Sequence, residues 1–406
     1  MFTVKTPEEA SALIESVFAK CMQEEEIPLE DAPGRVLAKP VKGTEYVPGF
    51  DRSTVDGYAV IASDTFGCSD ALPALLALCG EVEMGKNAER KLSKGECIYV
   101  PTGGAMPEGS DAAVMIEYTE NYGDGTVGIL KSAAPGNNLI FRGDDVSPGK
   151  EVLPAGRKLT AGDIGALAAM GISRVLVAKK PLVGIISTGD ELVSIDETPQ
   201  EGQIRDVNSV MLGALVQEAG AEYISYGILK DDEAFLKAAF DKALTECDMV
   251  LISGGSSVGM KDVTCSVLES RGEVLFHGLA MKPGKPTILG KADGRPVFGL
   301  PGHPAAACFV SELFVKPLLA RMMGRTVRPR TVTARITEAV SANHGRAQYM
   351  GVTLHEENGI LYAKPVHSKS GLITSLAGTD GFFCIPRDCE GISADETIQV
   401  RIYSTD

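Results

Sequence analysis

The sequence predicts a multidomain α/β and β protein, with a three-layer α/β domain and a mostly parallel sheet set between β-rich segments. Three observations carry this. From Pro181 onward, apolar strand-like runs alternate with stretches of helical periodicity. Residues 44–144 break into short β-type runs between Gly, Pro and Asp turns. Residues 326–406 return to strands alone. At 406 residues the chain exceeds one ordinary core, and about two to four domains are expected.

Residues 6–26 read as a helix: Thr6 can cap, Pro7 suits the first turn, and Glu8 and Glu9 complement its positive end. Ala10, Leu13, Ile14, Val17 and Phe18 fall on one face. Pro28, Pro33 and Gly34 break the chain. YAVIA, CIYVP and AAVMIEY are strands of the 44–144 block. A helix over about Ala161–Met170 stops at Gly171 and leads into Ser173–Val177. The β-rich block therefore reads as an insertion within a unit made of 1–43 and 145–178. Next come LVGIIS as a buried strand and a helix after Asn208 running to Gly220. YISYGI, a helix through Phe235–Leu244 and MVLIS follow. A Gly-rich turn, a helix near Val263–Glu269, EVLFH, TILG, PVFGL and a helix from Pro304 complete the 179–325 unit. Such alternation indicates a parallel sheet covered on both faces. TVTARI, MGVTL, ILYAKPV, FFCIP and IQVRIY make the 326–406 unit a small barrel or sandwich.

Composition narrows the function. Hydrophobic residues make up 44% and charged residues 23%, the balance of a soluble globular chain. No apolar run has bilayer-spanning length, and MFTVKTPEEA lacks a secretory pattern, so membrane insertion and secretion are not expected. Nine cysteines lie between Cys21 and Cys389 without a CxxC pair, so reduced thiols in a cytoplasm fit better than disulfides or structural zinc. The net charge of −15 argues against nucleic-acid partners and leaves a small anionic ligand open.

Four turns follow strands of the α/β unit: Ser187-Thr188-Gly189-Asp190-Glu191, Ser253-Gly254-Gly255-Ser256-Ser257-Val258-Gly259, Met281-Lys282-Pro283-Gly284-Lys285-Pro286 and Leu300-Pro301-Gly302-His303-Pro304. The Gly-rich turn can aim backbone N–H groups at an anion, helped by a helix N-terminus. Lys282 and Lys285 bring positive charge on a loop stiffened by prolines. Leu279 and Pro286 break any Walker A pattern, and no GxGxxG follows a strand, so NAD and FAD are poor candidates. Asp190, Glu191, Asp231, Asp232 and Asp262 fall at or beside strand ends, where carboxylates next to a phosphate can hold Mg²⁺. Taken alone, the Gly-rich turn reads slightly better as a plain strand-to-helix turn and the Lys282–Lys285 loop equally well as a solvated β-turn, while Asp231 and Asp232 fit easily as helix caps. Their convergence on one sheet edge favours a ligand site. His303 reads as a capping residue.

Taken together, STVDGYAV (53–60), PTGGAMPEGSDAAVM (101–115), FRGDDVSPG (141–149), GIISTGDEL (184–192), SGGSSVGMKD (253–262), MKPGKP (281–286) and LPGHP (300–304) resemble the MoeA-like molybdopterin molybdenumtransferases, a family that includes the gephyrin E domain. The resemblance spans nearly the whole chain. It implies an elongated domain of 1–43 with 145–178, a β-rich inserted domain of 44–144, an α/β domain of 179–325 and a C-terminal β-barrel of 326–406. It also implies a homodimer whose cleft joins the α/β domain of one subunit to the inserted domain of the other, which supplies Asp56 and Thr102. The implied reaction takes adenylylated molybdopterin and molybdate and releases AMP and molybdenum cofactor with a divalent cation. A partner implied by the pathway is the adenylyltransferase that makes the substrate.

Within that reading Lys282 and Lys285 neutralise molybdate or phosphate, while Glu191, Asp231 and Asp262 bind Mg²⁺ or position the attacking group. Ser187, Thr188, Gly189, Asp190 and the 253–259 amides (Ser253, Gly254, Gly255, Ser257, Gly259) hold the phosphate and pterin side. Pro301, Gly302 and Pro304 shape the pocket floor. Arg142, Asp145, Arg346 and Ser370 match further family positions. His303 departs from the asparagine common there. Two rival functions stand beside this one: a molybdopterin adenylyltransferase, whose fold resembles 179–325 alone, and a non-catalytic molybdopterin-binding or scaffold protein.

Overall fold

A computed structural model describes all residues except 1–3, 19–22, 88, 255–257, 327–328, 343, 368, 370 and 404–406, with the backbone alone described for 258–262. The central sheet is built from Leu182–Thr188, Glu222–Leu229, Met249–Gly254, Gly272–His277, Ile288–Ala292 and Arg295–Leu300. The first three and Arg295–Leu300 are parallel neighbours. Ile288–Ala292 then pairs antiparallel with Arg295–Leu300 and with Gly272–His277. Two reversals bring Gly272–His277 back into the common direction. The strands ending at Thr188, Leu229, Gly254, His277 and Leu300 therefore all finish at one edge.

Strand alternation divides the core into two layers. Val183, Ile185, Met249, Leu251 and Phe298 face one side, packed with the helices Pro7–Val17, Val207–Glu218, Pro304–Val310 and Lys316–Met322. Ile186, Val250, Ile252 and Val297 face the other, against Leu236, Phe240, Ala243 and Leu244 of Glu233–Glu246 and Val267 and Leu268 of Val258–Glu269. That spacing places one apolar stripe of Glu233–Glu246 on the sheet.

The N-terminal helix is shorter than expected. Thr6 caps it in a capping box with Glu9, and it ends at Val17. Its buried stripe of Ala10, Ile14 and Phe18 joins the α/β core. Residues 24–26, expected to be helical, lie instead in the strand Glu24–Pro28, antiparallel to Arg174–Ala178. Three successive glutamates have no apolar face to bury on a helix, whereas an edge strand leaves them in solvent. The helix expected after Asn208 begins two residues earlier than that, at Val207: Asp206 is its N-cap, accepting from Ser209 N, and Asn208 lies in its first turn.

Elsewhere, Val41–Lys42 pairs with Glu151–Leu153, so the chain enters and leaves the β-rich block through adjacent strands. Its six-stranded sheet buries Tyr58, Val60, Val114, Val127 and Ile129. Thr331–Ile336, Ala347–Glu357, Ile360–Pro365, Gly381–Ile385 and Thr397–Ile402 close into a five-stranded barrel. Met281–Lys282 adds to it in parallel, placing Lys282 opposite Gln348. The barrel is thereby fastened to a turn at the functional edge of the α/β sheet. Among the described residues no helix is long and apolar enough to cross a membrane.

Candidate active site

Two cavities meet over this edge. One, of about 750 Å³, is lined by Thr188, Gly189, Glu191, Asn208, Asp231, Ser253, Gly254 and Pro304. The other, of about 680 Å³, is lined by Lys282, Lys285, Pro301, Arg346 and, from helix and barrel, Phe309, Gln348 and Tyr349. Gly302 and His303 border both. Together they form a two-lobed cleft: one lobe carries carboxylates and small polar groups, the other cations on an apolar floor.

The carboxylate lobe depends on close strand ends. Gly254 has φ +119°, and a Cβ there would lie 2.0 Å from the Thr188 carbonyl oxygen, so the two turns approach more closely than any side chain allows. Asp231 N donates to Asp190 Oδ1 at 3.3 Å, bringing the acidic turns together. Desolvation, followed by the nearby charges of Asp190 and Glu191, holds the Asp231 carboxyl above the ordinary range. Asp232, by contrast, is committed to capping Glu233–Glu246 through Ala234 N at 2.8 Å.

Of the expected metal ligands, Glu191 and Asp231 line one lobe. The side chain of Asp262 lies outside the described residues, as do Gly255, Ser257 and Ser370, and of Gly259 only the helical backbone is described. Among the described residues no three His, Cys, Asp or Glu side chains are grouped to hold a metal.

Ser187 is buried at 1% exposure and lines neither lobe. Asp190 lines a neighbouring cavity of about 590 Å³. His303 occupies the N-cap position of Pro304–Val310, yet its side chain makes no capping hydrogen bond. The capping role expected of it is not its role; its place is the junction of the lobes.

Asp56 and Thr102 are brought together in two turns beside the inserted sheet, where Thr102 N donates to Asp56 Oδ1 at 2.7 Å, but neither lines a lobe of the cleft in the same chain. Arg142 lies with its guanidinium 4.3 Å from the Tyr46 ring centre and its N donating to Asp51 Oδ1 at 2.7 Å. Asp145 offers its carbonyl to Lys150 Nζ at 2.6 Å. Both sit where the inserted block rejoins the chain.

Sequence reasoning missed Asn208, Phe309, Gln348 and Tyr349. Asn208 carried a signal, a polar residue at a helix start beside a strand-end turn. The other three carried none, because they reach the cleft only through packing of the barrel and the final helix.

Three regions match one family in order. Residues 5–171 match the MoeA N-terminal region (domain I and II), 184–321 a probable molybdopterin binding domain, and 333–403 the MoeA C-terminal region (domain IV). A molybdopterin molybdenumtransferase from Bacillus subtilis (strain 168) is 34% identical over 95% of this chain and 91% of its own. The chain belongs to the MoeA family. A molybdopterin molybdenumtransferase from Haemophilus influenzae is 33% identical over 94% of each chain. The crystal structure of a molybdopterin biosynthesis MoeA protein from Pyrococcus horikosii superposes with TM-score 0.87 at 38% identity, covering 99% of this chain and 100% of that one. The family membership accounts for all three regions, including the flanking domains that the 179–325 fold alone would not require.

Proposed function

We propose that the chain is a molybdopterin molybdenumtransferase: it inserts molybdate into adenylylated molybdopterin and releases AMP and molybdenum cofactor. The observation that carries this reading is the two-lobed cleft in a chain with MoeA relatives along nearly its full length. An oxyanion and a phosphorylated pterin have opposite needs, and the lobes answer them separately. Lys282, Lys285 and Arg346 neutralise molybdate over an apolar floor that excludes water. Thr188, Ser253 and the 253–254 backbone take the phosphate and nucleotide half, with a helix N-terminus behind the turn. The pterin lies across Gly302 and His303, so the dithiolene sulfurs face the oxyanion.

Glu191 and Asp231 fit a divalent cation in donor chemistry. They are hard oxygen ligands, and burial, followed by the charges of Asp190 and Glu191, raises the Asp231 carboxyl, a cost that a bound cation relieves. Mg²⁺ bound there would offset phosphate charge at the leaving AMP. Glu191, Asp231 and Asp262 are its proposed ligands. Asp56 and Thr102 complete the cleft from a second copy of the chain in a homodimer, and an adenylyltransferase supplies the substrate. The nine cysteines include no CxxC pair, which supports a reducing, cytoplasmic setting.

The test is AMP release from adenylylated molybdopterin with and without molybdate. Molybdate-dependent release supports the reading. Formation of adenylylated molybdopterin from molybdopterin, ATP and Mg²⁺ would instead establish an adenylyltransferase, and binding without turnover a scaffold.

A further inference from the structure

Asn208 is 7% exposed and lines the 750 Å³ lobe. Its Nδ2 donates to Ser253 Oγ at 2.8 Å and to the Gly302 carbonyl at 2.8 Å. One amide thus ties the helix Val207–Glu218 to two separate turns of the cleft. The Gly302 carbonyl can only accept, so the orientation is fixed: a flipped amide would set two acceptors against each other. Oδ1 is left buried with no donor among the described residues. The helix does not require this residue as a cap, since Asp206 already accepts from Ser209 N at 3.1 Å. A buried amide oxygen without a partner is destabilising by itself, which points to a use in the liganded state.

We infer that Asn208 is a positioning residue for the nucleotide half of the substrate. It holds the 253–254 and 301–303 turns in register, and Oδ1 takes an O–H or N–H donor of that half as the lobe fills. The inference rests on the proposed assignment of the carboxylate lobe to the nucleotide. Aspartate at this position keeps an acceptor but sets a carboxylate against the Gly302 carbonyl, and serine is too short to span both turns. Ser253→Ala removes one of the two ties and leaves the other.

The experiment is calorimetric titration of the full-length wild type, Asn208→Asp, Asn208→Ser and Ser253→Ala. AMP probes one lobe and molybdate the other, at a temperature where circular dichroism shows each variant folded. Expected is a weakening of AMP binding by tenfold or more (about 1.4 kcal/mol) in a folded Asn208 variant, a smaller loss in Ser253→Ala, and molybdate affinity within twofold of wild type. An equal loss for both ligands, as a general structural defect would give, overturns the inference. So does AMP affinity within twofold of wild type in any folded Asn208 variant. Should both Asn208 variants fail to fold, the side-chain amide NMR signal of Asn208 in the wild type decides: a shift on adding AMP and none on adding molybdate supports the inference, and no shift at saturating AMP overturns it. A wild type that binds no AMP overturns the lobe assignment itself, and the inference with it.

Discussion

At the residue scale, the cleft trades stability for ligand binding. Asp231 shows the trade in its charge. Desolvation and the charges of Asp190 and Glu191 raise its folded-state value, so as pH rises past the ordinary aspartate range the unfolded chain ionises first and stability falls. At neutral pH the ionised cluster is therefore a cost to the metal-free protein. Asp231→Asn should melt higher than wild type in metal-free buffer, while the rise in melting temperature on adding Mg²⁺ should be smaller in the variant. A lower melting temperature, or an equal response to Mg²⁺, would contradict the assigned role. Gly254 shows the same trade in its backbone. Its φ is +119°, and an alanine methyl there would stand 2.0 Å from the Thr188 carbonyl oxygen, so Gly254→Ala must separate two adjacent strands. A loss on the order of 3 kcal/mol is expected, read from the urea midpoint.

At the element scale, the final helical run couples the cleft to the barrel. Pro304–Val310, the π-helical Ser311–Val315 and Lys316–Met322 follow one another without a break. Glu312 within it is 4% exposed. Its carboxylate meets Lys316 Nζ at 2.7 Å, and its carbonyl accepts from Arg401 of the barrel at 2.9 Å. Burial alone would lower the Lys316 value, but Glu312 and Glu218 outweigh it and hold it above the ordinary range. The pair's contribution is thus present below the ordinary lysine range and lost as pH rises through the folded value. Lys316→Met should cost about 3–5 kcal/mol, because Glu312 is left buried and charged. Adding Glu312→Gln should recover much of that loss in thermal or denaturant unfolding. None of this was legible locally. The parallel strands were, because burial on both faces makes them continuous apolar runs, and so were the turns at their ends. The strand at 24–28 was hidden by its glutamates. Gln348 and Tyr349 were hidden because pairing of Met281–Lys282 with Ala347–Glu357, rather than any nearby pattern, brings them to Lys282.

At the scale of the whole molecule, the site residues fall into two groups that one chain keeps apart. Lys282, Lys285, Glu191 and Asp231 line the cleft, while Asp56 and Thr102 hold each other in turns beside the inserted sheet. If a second copy completes the cleft, each active site needs an intact α/β unit from one chain and an intact inserted sheet from the other. Asp56→Ala and Lys285→Ala should then each abolish molybdate-dependent AMP release alone. After co-refolding in equal amounts, half of the dimers are mixed, and each mixed dimer has one cleft with both residues intact and one with neither. Activity should return to about a quarter of the wild-type value per cleft. A cleft completed within its own chain gives a different result: every cleft then lacks one of the two residues, mixing restores nothing, and the two-subunit reading fails. Size-exclusion chromatography with light scattering on the same samples separates that failure from a failure to form mixed dimers.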